Sequence, residues 1–408
     1  MVAALMQNIP TLALLSVAGD FGNSSDVPVA SARADVAGGS LIEYQITMLA
    51  RVGIKRFLIE VENVDGALIA LANRCRDKGQ TVDFVRNGAD IQRFVESSDR
   101  IWVQSGQLYI QSGLIETLLK APEKFIATVD GRDENAGFER IDLNTRWAGV
   151  SMVGPETIAL LKDLPDDWSI ISSLLRQAVL AKIPFRPLPQ QHVVNGTLSV
   201  LTGPVDFTDL NLQILRQRVA SQSGFVEARL FGPILTRVVP VIWQSPVAVT
   251  ASKFAPVVAG LGAVALGLGG FSTAACIVAF AAIAANSLRS AVTDEADGGE
   301  RVPESSAITW ALIILAMFGT AYSDITYNGG LFAAFAVAAL TFLSQRTMMP
   351  GWAKYLLQSP AALAIFAIVG SAIVGFTMAM QYIMVLQLSI LVIANVRSEA
   401  DDKKARQA

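Results

Sequence analysis

Apolar and polar positions are distributed unevenly along the chain. From Pro246 to Val396 it is dominated by Ala, Leu, Ile, Val, Phe and Gly, whereas residues 1–245 carry charges throughout. A helix crossing membrane hydrocarbon needs about 20 apolar residues, and six runs come close to that. They are Val249–Leu268, Phe271–Leu288, Ala307–Tyr322, Gly330–Ser344, Ala361–Met378 and Gln381–Val396. The uncharged stretch from Phe254 to Leu288 is too long for one span, and Gly269-Gly270-Phe271-Ser272 supplies its turn. Ahead of the first run, Ser223–Trp243 places Phe225, Phe231, Leu235 and Val239 at helical spacing with Glu227, Arg229 and Arg237 between them. This predicts an amphipathic helix at a membrane interface, kinked or broken at Gly232-Pro233.

The first half alternates short apolar runs with amphipathic ones. Strands are predicted at Thr11–Val17, Arg56–Val61, Thr81–Val85, Arg100–Val103, Lys124–Val129 and Trp147–Val153. Helices are predicted at Ser40–Val52, Gly66–Lys78, Gly113–Lys120, Pro155–Asp163 and Ser169–Ala181. Such alternation argues for an α/β layered domain on a largely parallel sheet. The expected divisions are 1–190 for this domain, 191–222 for a linker, 223–245 for the amphipathic helix, 246–396 for a six-span membrane domain and 397–408 for a charged tail.

Charge orients the spans. The links after the second and fourth carry Arg289 and Arg301, then Arg346 and Lys354, and the tail carries Arg397, Lys403, Lys404 and Arg406. Those after the first, third and fifth carry no Lys or Arg. Positive residues stay inside, so an integral inner (cell) membrane protein with both termini cytoplasmic is expected. Residues 1–6 lack the basic region and cleavage site of a secretory signal. A net charge of −3 over 408 residues gives no case for nucleic acid as a partner. Cys75 and Cys276 form no metal pattern and read as small buried hydrophobes. With His192 the only histidine, His-based metal sites and Ser-His triads are excluded for the chain on its own.

Candidate chemistry centres on Ala281-Ala282-Ile283-Ala284-Ala285-Asn286-Ser287-Leu288-Arg289, followed eight residues later by Gly298. This frame resembles the CDP-alcohol phosphotransferase family, whose signature is Asp-x2-Asp-Gly-x2-Ala-Arg-x8-Gly-x3-Asp-x3-Asp. Arg289 and Gly298 match, while Ala281, Ala284, Val302 and Ser306 stand at the four Asp positions. In that family the carboxylates hold two divalent metals and supply the base. Ala, Val and Ser cannot replace them around a hard cation. Pro246, Val249 and Thr250 further resemble the family's entry into its first span, and 223–243 its juxtamembrane helix. The loop acids Asp294, Glu295, Asp297, Glu300 and Glu304 leave an alternative open, because Asp294 and Asp297 followed by Gly298 mimic the opening of the signature.

From Leu12 to Pro189 the chain resembles the sugar-phosphate nucleotidyltransferases. The match is best at Ala37-Gly38-Gly39-Ser40-Leu41-Ile42-Glu43-Tyr44-Gln45 and at Leu49-Ala50-Arg51-Val52-Gly53-Ile54. The resemblance implies a GT-A/Rossmann-like domain with Gly19 and Gly22 in a phosphate-cradling loop. Its charged positions are replaced by Ser24, by Ala30-Ser31 and, at the metal-binding Asp, by Gln107. Asp130-Gly131-Arg132-Asp133 reads as a solvated loop.

A nucleotidyltransferase-like domain fused to a six-helix phosphotransferase-like domain resembles the bifunctional inositol-1-phosphate cytidylyltransferase/phosphotransferase proteins. The resemblance implies a pseudoenzyme with both sites degenerate, organising or regulating phospholipid head-group synthesis. Its implied partners are the lipid bilayer and a second copy of itself or an active phosphotransferase paralogue. No cofactor is expected. The alternative is an active membrane transferase with Mg2+ held in loop 294–304.

Overall fold

The computed structural model describes residues 10–17, 35–120, 124–162, 165, 168–201, 203–220, 225–293, 304–323, 329–346 and 359–407. They form two compact units, Met1–Asn211 and Leu212–Ala408.

In the first unit β1 (Leu12–Ser16) is followed by a small hairpin of β2 (Asp35–Val36) and β3 (Gly39–Ser40). The chain continues as α1 (Leu41–Arg51), β4 (Arg56–Glu60), α2 (Gly66–Asp77), β5 (Thr81–Val85) and α3 (Gly88–Ile91). Then come β6 (Ile101–Gln104), β7 (Leu108–Ile110), α4 (Ser112–Leu119), β8 (Phe125–Asp130) and β9 (Thr145–Val153). The unit ends with α5 (Pro155–Ala159), α6 (Ile170–Leu180), β10 (Phe185–Pro187), α7 (Gln191–Val194) and β11 (Leu198–Val200). Helix starts follow their caps: Ser40 accepts from Glu43 N at the head of α1, and Asp65 from Leu68 N at the head of α2.

The main sheet has the order β10-β8-β9-β6-β1-β4-β5. β1 lies between β4 and β6 and is parallel to both, so all five of its apolar-run residues are buried, as expected of a strand covered on two faces. β9 alone runs against its neighbours, opposing Gln104 with Val150 and Asp130 with Thr145. An apolar run does not encode its direction, so this reversal was not legible. It carries the start of β9, Thr145 to Trp147, to the carboxyl edge of β8. One face of the sheet, with Leu12, Leu14, Leu58, Val103 and Ile126, packs on Ile170, Ile171 and Leu174 of α6.

The segment expected as a linker is structured. β11 pairs antiparallel with β7, and the Asn211 side chain holds Ala37 N at 2.7 Å and Asp35 O at 3.0 Å. Three-residue strands such as β7, β10 and β11 are too short to show a period.

α8 (Pro204–Ala220) leads into the second unit, with α9 (Phe225–Trp243), α10 (Pro246–Leu268) and α11 (Ser272–Val292). α12 (Glu304–Ser323), α13 (Gly330–Arg346), α14 (Pro360–Val374) and α15 (Phe376–Gln407) complete it. Three helical segments, Val247–Leu268, Ser272–Val292 and Phe376–Ile393, are long and apolar enough to cross a membrane. Ala307–Ser323, Gly330–Leu343 and Pro360–Val374 are apolar but shorter.

Two boundaries differ from expectation. The break before the last helix falls at Gly375, with φ +86°, rather than at Met378–Gln381, because glycine takes that backbone conformation without a Cβ penalty. α15 then continues through the charged tail. α9 also stays one helix across Pro233 and Pro240. Burial of Phe231, Leu235 and Val239 among Leu215, Val219, Ala282 and Ile313 offsets the lost backbone bonds. Glycines at Gly260, Gly267 and Gly370 permit close packing, since a Cβ there would lie 2.9 Å or less from Leu312, Thr320 or Ala379.

Candidate functional site

Helix α11 carries the first residues of the suspected phosphotransferase centre. Ala281 is exposed, and half-buried Ala284 packs against an apolar cluster that includes Ala282, Ile283, Ile313 and Ala361. Arg289, in the last turn, is buried. Ser306 falls in the first turn of α12. Gly298, Val302, Asp294 and Asp297 lie outside the described residues, as do Gly19, Gly22, Ser24 and Ser31. Ala284, lying among apolar side chains, offers no ligand to a divalent metal. Among the described residues no three His, Cys, Asp or Glu lie close enough to hold an ion.

Gln107 sits in the turn between β6 and β7, and that turn is held by a buried glutamine. Gln45 Nε2 donates to the carbonyls of Ser105 at 3.0 Å and Leu108 at 2.8 Å, and lies 3.4 Å from that of Gly106. Ser105 N in turn donates to Gly149 O at 2.9 Å. Gln45→Ala should leave these carbonyls short of donors and open a small void, lowering stability by about 2–4 kcal/mol. Thermal unfolding of the full chain, monitored through the α/β unit's tryptophans, measures it. Near-identity with the unaltered protein would show that the turn holds itself.

Asp130 pairs with Arg132 at 2.8 Å on the surface, in keeping with a solvated loop. His192 closes a local turn, its Nδ1 3.1 Å from Thr197 Oγ1. Cys75 and Cys276 are buried and unpaired by disulfide.

The first unit holds an open cleft of about 610 Å³ whose walls include Glu139, Arg140, Arg146, Trp168, Ser172 and Arg176. The reversed strand β9 builds one wall. Residues 139–147 fold back on themselves, with Trp147 N donating to Glu139 O at 2.7 Å and Arg140 bridging to Arg146. The opening of α6 builds the other, and it is fixed by Glu60, whose Oε1 accepts Ile170 N at 2.7 Å. Glu60 is buried, and desolvation raises its pKa against the opposing bonds from Ile170 and Ser16.

Arg140, Arg146 and Arg176 line this cavity together with Glu139, and the Arg140 guanidinium is bonded to the carbonyls of Asp142 at 3.1 Å and Leu143 at 3.3 Å. Arg146 Nη1 donates to Phe138 O at 3.0 Å, and its Nε is buried with no acceptor. Arg176 stands 5.9 Å from the Trp168 ring centre. Glu139 accepts from Ser172 Oγ at 3.2 Å. Desolvation raises the Glu139 pKa, with Ser172 and Arg176 pulling it back. Arginine forks suit phosphate or carboxylate, hydroxyl-bonding groups suit a polyol, and an exposed indole suits a C–H face. Sequence reasoning did not find these residues, because the chain gathers them from two segments and no local motif joins them. The spacing of Arg140 and Arg146 around the turn-formers Asp142 and Asn144 was the available signal.

No protein-family model matches the chain, and no curated protein sequence matches it. Solved structures do. HddC from Yersinia pseudotuberculosis matches at 16% identity and TM-score 0.36, covering 50% of this chain and 99% of that one. The inositol-1-phosphate CTP transferase from T. maritima matches at 13% and 0.35, covering 48% and 91%. The UDP-glucose pyrophosphorylase from Acinetobacter baumanii matches at 16% and 0.36, covering 51% and 94%. A likeness at this level assigns no activity to the chain.

Proposed function

We propose that this protein is a membrane-embedded pseudoenzyme that binds a phosphorylated polyol in its α/β unit and organises or regulates phospholipid head-group synthesis at the cytoplasmic face. The arginine-lined cavity carries the reading. It keeps a means of holding an anionic polyol, while neutral Ser24, Ser31 and Gln107 stand at the charged positions of a nucleotidyltransferase. Ala281, Ala284, Val302 and Ser306 do the same at the acidic positions of a CDP-alcohol phosphotransferase. The second unit forms the six-span domain in this reading, with the three shorter apolar helices inserted beside the three long ones. The acidic run from Asp294 to Glu304 favours one rival, an active transferase with a relocated metal site.

Full-length protein in lipid nanodiscs tests both. Calorimetry should register glycerol or inositol phosphates and no CTP with Mg2+, and CDP-glycerol, CDP-inositol and CDP-diacylglycerol should release no CMP. Metal-dependent CMP release that disappears in an Asp294→Asn/Asp297→Asn variant would overturn the proposal in favour of the rival. Micromolar CTP binding would restore the nucleotidyltransferase reading.

A further inference from the structure

Every strand of the main sheet except β9 starts at one edge. β1 pairs parallel with β4 and β6, β4 with β5 and β8 with β10, while β6 and β8 both run against β9. Basic residues stand just ahead of these starts: Lys55 before β4, Lys78 before β5, Lys124 before β8 and Lys182 before β10. All of them are exposed. β5 and β10 are the outermost strands, so at about 4.8 Å between neighbours the row is roughly 30 Å long. Acids at this edge are largely engaged. Glu156 holds Lys124, and Asp99 and Glu96 face Arg56 at 3.0 and 3.9 Å. Exposed Asp77 adjoins Lys78 in the chain, yet Lys55, Lys78 and Lys182 make no ion pair among the described residues.

Lys182 stands where the backbone disfavours it. α6 stops with Lys182 N donating to Val179 O at 3.0 Å and Ile183 N to Ala178 O at 3.1 Å, and Lys182 takes φ +56°. That position of a helix stop is ordinarily glycine, because a Cβ is penalised there. The helix dipole favours a cation near the stop, but any neighbouring position would serve it without strain. On either side of the lysine, Leu180 and Phe185 are 73% and 43% exposed. Ile126 N donates to Pro184 O at 2.9 Å and Phe185 pairs with Ile126, which fixes this turn beside the start of β8. One end of the basic row therefore carries two exposed apolar side chains around a strained lysine.

We propose that this edge of the sheet docks onto an anionic lipid leaflet, with Leu180 and Phe185 at the acyl boundary and the lysines on lipid phosphates. The inference rests on the membrane reading, which supplies the leaflet. A row of this length matches an extended anionic surface rather than one small anion. Lysines on flexible stems act there as point charges and need no fixed receptor geometry. Each one near such a surface favours binding by about fivefold, and the apolar pair beside Lys182 gains by leaving water. Docking by this edge turns the opposite one, where β9 starts beside the arginine-lined cleft, away from the lipid and toward soluble ligands.

The test uses full-length protein carrying Cys75→Ala and Cys276→Ala, in nanodiscs of phosphatidylcholine with or without phosphatidylglycerol. Single Ala181→Cys and Thr81→Cys variants place a fluorophore at the two ends of the edge, Leu143→Cys at the opposite edge and Val258→Cys within α10. All four positions are exposed. With quenchers in the lipid, the expected pattern is shallow quenching at 181 and 81 that requires phosphatidylglycerol, none at 143 and deep quenching at 258. Absence of quenching at 258 would mean that the membrane reading itself fails. Quenching at 258 without 181 and 81 overturns this inference alone, as does equal quenching at 143. A probe at 181 already shielded in detergent would mean that protein covers the edge, and also overturns it. Lys182→Gly separates docking from folding, because the two respond in opposite directions. Relief of the strained backbone should raise the melting temperature of the α/β unit, while the ratio of docked to undocked protein, read at position 81, falls about fivefold. A stabilised variant that docks as before would make the lysine a helix stop only and sink the proposal for this turn. If either edge variant fails to reconstitute, the other reads the same edge.

Discussion

Glu227→Ala is expected to destabilise the helical unit by about 2–5 kcal/mol. The buried carboxylate accepts a hydrogen bond from Ser359 Oγ and another from Ala361 N, each at 2.8 Å. Removing it leaves two donors facing no acceptor, at about 1–3 kcal/mol each, and takes a negative charge from the head of α14, where the helix dipole favours one. Repacking of Ser359, whose Oγ also accepts from Ala362 N, offsets part of that loss. Glu227→Gln keeps one acceptor and should fall between the two. Thermal unfolding of the three proteins in one detergent settles the order. A Gln variant as damaged as the Ala variant would mean that charge, rather than hydrogen-bond capacity, holds the contact.

That residue shows what the sequence could and could not disclose. In the linear chain Glu227 reads as the polar side of an amphipathic helix, because solvated charge is the ordinary role of glutamate there. Its partners lie more than 130 residues away, and only the fold brings them together. The apolar pattern, by contrast, located the elements well. Thr81–Val85 agrees end for end, and the other predicted strands agree to within two residues. Long buried runs announce themselves because burial selects their composition.

What stayed hidden has a common physical cause. Strand direction, the pairing of β11 with β7, and the meeting of Arg146 with Arg176 all depend on long-range contacts that leave no local periodicity. The break at Gly375 was obscured differently. A glycine within an apolar run bears no local mark that separates a packing role from a conformational one, yet a Cβ at Gly375 would meet nothing within 4 Å. Its role is conformational, whereas Gly260, Gly267 and Gly370 answer to neighbouring side chains.

Arg146→Gln and Arg176→Gln together should weaken binding of a phosphorylated polyol by roughly a hundredfold, and the loss should depend on pH through Glu139. A charge-assisted bond to a phosphate contributes about 1.5–3 kcal/mol. The lower end applies to this open cavity, giving about tenfold for each arginine. Glu139 sets the pH dependence because desolvation raises its pKa. Below the folded pKa the group is neutral and leaves the guanidiniums free for the ligand. As pH rises through that pKa it ionises, adds a negative charge to an anion site and weakens binding. Stability carries the same sign: the proton is held more tightly in the folded state, so the relative stabilisation is present at low pH and is lost as pH climbs past the folded pKa. The window therefore lies above the ordinary glutamate value of about 4.3. Calorimetry with a sulfated polyol, which does not titrate in this range, isolates the effect from the second ionisation of phosphate. Glu139→Gln should flatten the profile at its acid-side affinity. Should the unaltered protein and Glu139→Gln show the same slope, the carboxyl does not face the ligand, and the cavity would not be the site proposed here.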